Sequence, residues 1–234
     1  MDRRALYLHE EVLLLALRDR EGTLHPSAWV HAALGGAILA ELLATNRIAL
    51  SDDSKQSRST NVEVLDATPF GEPVLDDCLG KIRDAKTPYS LQHWAGLFGA
   101  RGDLFPLAAG ELCRLGILRE DEKKVLFLFS RKVYPELDGR PEEDLITRLR
   151  SAIYGSSKGI DERTRMLLAI AEKTGLLYVI FGDKEIKQRK EHIAKICEGD
   201  VAGDTTEQAV NAANAALMLT IAPMIAMTAT FHSS

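Results

Sequence analysis

The sequence predicts a mainly α, water-soluble protein carrying short β-hairpins. Three observations lead there. Apolar residues recur at helical spacing through most of the 234 residues, proline, serine, aspartate and glycine mark helix starts and stops, and strand-like alternation is confined to brief runs beside polar loops. With 46% hydrophobic and 27% charged residues, the composition is that of an ordinary globular chain able to bury a sizeable core.

Residues 6–17 are apolar apart from His9, Glu10 and Glu11, and read as a buried helix. The charged turn Arg18-Asp19-Arg20-Glu21-Gly22 stops it. Glu10 and Glu11 interrupt the apolar run and no small-residue cleavage site follows, so the segment is not expected to be a signal peptide. Pro26-Ser27 opens a second helix, roughly 28–45, with Gly35-Gly36 inside it. Two mid-helix glycines cost roughly 1 kcal/mol each relative to alanine, so close packing or a ligand should explain them. Arg47–Leu50 and Val62–Leu65 alternate around the polar stretch 51–60, which predicts a hairpin with a mobile tip.

Leu75, Cys78, Leu79 and Ile82 mark an amphipathic helix over 74–85, followed by helices at 90–98 and 104–115. Gly116 closes the latter, and a second hairpin is expected with Ile117-Leu118 and Val125–Phe129 as its arms. A helix leading into a hairpin thus occurs twice, which is the layout of a winged-helix module. Pro141 starts a helix to Ile153, and Asp161 caps another through Lys173. Leu176–Phe181 alone reads as a strand, and Asp183 caps a helix over 184–197. From Ala209 to Phe231 there is no charge. Asn211, Asn214 and Pro223 interrupt that stretch and no basic residue flanks its far end, so a buried terminal helix is expected rather than a membrane span.

The net charge of -5 argues against broad nucleic-acid binding, which needs a cationic field. Three scattered cysteines with no C-x-x-C pair fit a reducing, cytoplasmic compartment. No G-x-S-x-G, H-E-x-x-H or Walker loop is present, so no enzyme, cofactor or metal centre is expected. His9-Glu10-Glu11 lacks a second histidine four residues on, and Gly96-x-x-Gly99-x-x-Gly102 lacks a lysine and a preceding strand. Trp29 stands at a helix start, where an indole serves packing first and a ligand or membrane boundary second.

Several stretches resemble one family. Leu8-His9-Glu10-Glu11-Val12-Leu13-Leu14-Leu15-Ala16-Leu17-Arg18-Asp19-Arg20-Glu21-Gly22 resembles the opening of the Golgi phosphoprotein 3 family. Leu34–Leu42 followed by Arg47–Leu50, Leu112–Leu118, and Asp161–Ala169 resemble later segments in the same order. The resemblance implies a single domain over 5–230: a central helical bundle surrounded by amphipathic helices, plus short β-hairpins. It implies a peripheral, cytoplasmic membrane-associated adaptor that binds an anionic lipid headgroup, phosphatidylinositol 4-phosphate in the family. Cytosolic tails of membrane proteins are implied partners, and homo-oligomers are implied through a loop that corresponds here to the short stretch 154–160. The resemblance also assigns the headgroup site to the region of Trp29, Gly35, Arg101 and Arg114. Glycine stands at 35 where the family has arginine, so headgroup specificity is expected to be altered or lost. The simplified chain is most similar to prokaryotic members, for which that phosphoinositide is not an expected lipid. The competing readings are a soluble protein-binding scaffold and a winged-helix nucleic-acid binder.

Overall fold

The computed structural model describes residues 4–26, 29–51, 61–125, 129–157 and 159–198. The uncharged stretch 209–231 and the hairpin tip at 52–60 lie outside the described residues. Helix α1 (Leu8–Ala16) sits at the centre and all nine of its residues are buried. It packs against α2 (Val30–Ala44), α5 (Leu104–Arg114), α6 (Arg140–Tyr154) and α7 (Glu162–Lys173). Helix α2 is nearly as enclosed: eleven of its fifteen residues are buried, because it is apolar on every side. Fully burying a leucine contributes roughly 1.5–3 kcal/mol, so these two helices supply much of the core.

The mid-helix glycine at 35 is a packing device. Helix α4 (Leu91–Gly99) crosses α2 there, and a methyl group on Gly35 would come 2.8 Å from the Gly99 nitrogen and 3.1 Å from the Ala95 oxygen. Backbone atoms on both sides leave nothing that can swing aside. Gly35→Ala is therefore expected to lower stability by about 1–3 kcal/mol, measured by chemical denaturation.

The first hairpin forms as expected, β1 (Ile48–Ser51) pairing antiparallel with β2 (Asn61–Val64). Helix α3 (Pro73–Arg83) buries Leu75, Cys78, Leu79 and Ile82, and Glu72 caps it by accepting from the backbone of Val74 and Leu75. Ser90 and Asp161 cap α4 and α7 in the same way.

Three expectations need correction. The second hairpin consists of β3 (Asp121–Val125) and β4 (Phe129–Val133), so Val125 ends the first arm and the second arm lies later than expected. Ile117 and Leu118 are buried at its base, held by the turn after α5 and by Leu137 N–H donating to the Ile117 carbonyl. Leu176–Phe181 is helix α8 rather than a strand. Adjacent Leu176 and Leu177 are both wholly buried, whereas a strand would send them to opposite faces. Left-handed glycines at 175 and 182 let the short helix turn at both ends. Asp183 begins α9 (Asp183–Glu198) from inside the helix and pairs with Lys187 at 3.0 Å.

Candidate functional site

The charged residues of α1 point inward. Glu11 accepts from Arg148 and Arg163, each at 3.0 Å, and the Arg163 fork also reaches Glu41 at 3.3 Å and the Leu6 carbonyl. Glu41 in turn accepts from the Leu8 N–H at 2.6 Å. Arg4 grips both oxygens of Glu10 at 2.7 Å. This network ties the N-terminal segment, α1, α2, α6 and α7 together. Burial pushes the Glu11 carboxyl up in spite of the two arginines that pull it down. Carboxylates and guanidiniums from five segments are paired in the network, which makes it a staple.

The four residues assigned by resemblance each have their own contacts. Trp29 occupies the N-cap position of α2, half-buried, with its backbone N–H donating to the Thr174 carbonyl at 3.0 Å. Gly35 lies under α4. Arg101 is held between Asp77 and Asp103, which raises its pKa further. Arg114 is exposed and bonds Glu111 at 2.7 Å. Among the described residues no hydrogen bond, ion pair or ring contact joins any two of the four.

A different cationic cleft is present, of about 400 Å³, lined by Arg18, Gly22, Thr23, Leu24, Pro26, Phe105, Arg131 and Lys132. The turn after α1 forms one wall: Gly22 N–H donates to the Arg18 carbonyl at 2.7 Å and Arg18 N–H to the Thr23 carbonyl at 2.9 Å. Gly22 is left-handed, and a Cβ there would strike the Tyr134 and Pro135 backbone at 2.2–2.5 Å. Only glycine lets the turn dock on the end of the second hairpin, so that Arg18, Arg131 and Lys132 line one cleft. Phe105 also lines the cleft and meets Tyr134 edge-on. Lys132 bonds Glu120 at 2.8 Å, while Arg18 and Arg131 have no carboxylate partner among the described residues. Two such guanidiniums in one cleft with an aromatic ring suit a phosphate-bearing ligand, because guanidinium forks bind phosphate oxygens two at a time. Sequence reasoning missed this set because Arg18 and Arg131 lie in different elements far apart in the chain. The adjacent Arg131-Lys132 pair was the one local signal.

On the other side of the same turn the sign reverses. Asp19, Glu136 and Glu142 bring carboxylate oxygens within 4.8 Å of one another. Burial first, then the negative charges of Asp19 and Glu136, push the Glu142 carboxyl up to about 8. A carboxyl whose folded pKa lies above its unfolded value stabilises the fold only while protonated. Its penalty grows as pH rises from the ordinary carboxyl range through about 8. Glu142→Gln should match wild type near pH 5 and exceed it at pH 8 by about 1 kcal/mol after solvent screening. Thermal unfolding would show this as a gain of about 3 °C. Equal unfolding temperatures at both pH values would contradict the assignment.

No helix among the described residues is long and apolar enough to cross a membrane. The family model described as Golgi phosphoprotein 3 (GPP34) matches residues 8–213. Vacuolar protein sorting-associated protein 74 of Eremothecium gossypii is 32% identical over 165 residues, covering 63% of this chain and 49% of that protein. The chain thus matches about half the length of this curated relative.

Proposed function

The chain belongs to the Golgi phosphoprotein 3 family, and on that premise we propose that it is a peripheral membrane adaptor that binds an anionic lipid headgroup and catalyses nothing. The observation that supports this most is the cleft between the α1 turn and the second hairpin, lined by Phe105 and by Arg18 and Arg131, which have no carboxylate partner among the described residues. Each lysine or arginine near an anionic bilayer contributes about 1 kcal/mol of attraction, so a small cluster suffices for reversible docking of a chain with net charge -5.

In this reading Trp29 is the aromatic nearest the second helix's start, and Arg101 and Arg114 add charge already offset by acids. Glycine at 35 removes a cation where the family carries one, so the headgroup is a different anionic one, or phosphatidylinositol 4-phosphate is held less selectively. Residues 5–230 act as one cytoplasmic domain, and tails of membrane proteins are the expected protein partners. A nucleic-acid role is disfavoured because α2, the helix preceding the first hairpin, is buried and offers no recognition face.

Vesicle flotation tests the proposal. The protein should float with vesicles containing acidic phospholipid at low salt, stay down with neutral phosphatidylcholine vesicles, and be released as salt rises. No lipid-dependent shift would leave a soluble protein-binding scaffold as the reading.

A further inference from the structure

The histidine of α1 faces a buried carboxylate without a hydrogen bond to it. His9 is wholly buried, and neither ring nitrogen makes a hydrogen bond. Buried polar atoms are nearly always paired, and an orphan one calls for a water, an ion or a chemical role. Facing it is Glu72, itself 1% exposed, with Oε1 3.6 Å from His9 Nε2. That spacing is too long for a hydrogen bond. It lies close to the separation of about 3.4 Å between two donors bound at about 2.0–2.1 Å to a tetrahedral ion.

Glu10, also wholly buried, provides a third donor, and the His9, Glu10 and Glu72 donor atoms all lie within 4.8 Å of one another. The three are well held. Glu72 is fixed by the Val74 and Leu75 backbone N–H groups, Glu10 accepts from the Tyr7 N–H at 2.8 Å, and the Tyr7 ring stacks over the imidazole. Each carboxylate keeps lone pairs beyond these bonds.

We propose that His9, Glu10 and Glu72 form a binding site for one divalent transition-metal ion of the zinc class, joining the start of α3 to α1. One imidazole with two carboxylates is a donor set suited to zinc or a similar first-row ion. Arg4 is the built-in competitor, since its guanidinium holds both Glu10 oxygens, and its side chain is 30% exposed and able to swing out. Metal binding therefore displaces Arg4 from Glu10.

The test is titration of the full chain, after chelator treatment, with Zn²⁺ by calorimetry, and with Co²⁺ followed by visible absorption. One ion per chain is expected, with intense d–d bands from a tetrahedral site. His9→Gln should weaken binding by more than about 100-fold, beyond the 10–100-fold typical of losing an outer partner. Should His9→Gln fail to fold, Arg4→Ala decides the matter: it leaves all three donors intact and should tighten Zn²⁺ by about tenfold through removal of a nearby like charge. His31→Gln, at an exposed histidine, should change nothing. Absence of saturable uptake by the wild type overturns the proposal, as does uptake indifferent to both His9→Gln and Arg4→Ala. Stability lost in His9→Gln with no metal uptake by the wild type also overturns it, and makes His9 a buried partner of Glu72 instead.

Discussion

Replacing Arg163 with methionine is expected to destabilise the protein by about 3 kcal/mol, the lower end of the cost of breaking a buried ion pair from one side. The unfolding temperature should fall by about 10 °C. The side chain holds Glu11, Glu41 and the Leu6 carbonyl at once, and the two carboxylates are only 5% and 6% exposed. Removing the guanidinium strands charge that has nowhere to go. Arg148 still reaches Glu11, but Glu41 keeps only the Leu8 N–H among the described partners. The sharper comparison is Arg163→Met combined with Glu41→Gln. If the loss comes from stranded charge, the double variant should be more stable than Arg163→Met alone. Were it less stable by the sum of both changes, the cost would lie in packing and the network would be incidental.

The second large effect concerns the cleft. Arg18→Glu together with Arg131→Glu changes its charge by four units. At about 1 kcal/mol per charge near an acidic bilayer, affinity for anionic vesicles should drop by more than about 100-fold. Both side chains are exposed and carry no ion pair among the described residues, so the circular dichroism spectrum and unfolding temperature should hold. Arg114→Glu serves as the comparison, because Arg114 is already balanced by Glu111 and its loss should matter much less. Trp29→Ala tests whether the half-buried indole contributes to docking or only to packing. Affinities measured by flotation across a salt series separate the two charge changes. The double variant should also flatten the salt dependence, and equal binding by both variants would remove the cleft from the account.

Much of the fold was legible because helix signals are local. Apolar spacing and capping residues located α3, α4, α6 and α7 to within a few residues, with Asp161 capping where expected. Where the reading failed, tertiary contacts had decided. Leu176–Phe181 has a strand-like composition, but its burial pattern is set by α7 and α9 packed on either side. The arms of the second hairpin are polar, and no alternation of apolar residues marks Asp121–Lys124 as a strand.

Charge was harder to read than hydrophobicity. Glu10 and Glu11 looked like interruptions of an apolar helix, whereas they are buried because Arg4 folds back on Glu10 and Arg148 and Arg163 meet Glu11 from distant parts of the chain. The family resemblance directed attention to Trp29, Gly35, Arg101 and Arg114, and the cationic cleft draws on other residues. Its arginines reach one another only through the docking of the Gly22 turn on Tyr134 and Pro135. That contact spans more than a hundred residues, and nothing in the local sequence announces it.

Hydrogen–deuterium exchange with and without acidic vesicles tests the central claim most directly, because it reports which face meets the lipid. Protection is expected in the turn from Arg18 to Leu24, around Phe105 at the start of α5, and along β4 from Phe129 to Val133. Vesicle-dependent protection confined to other surfaces, such as the basic α9 helix, would contradict the account, and so would no change anywhere while the protein floats.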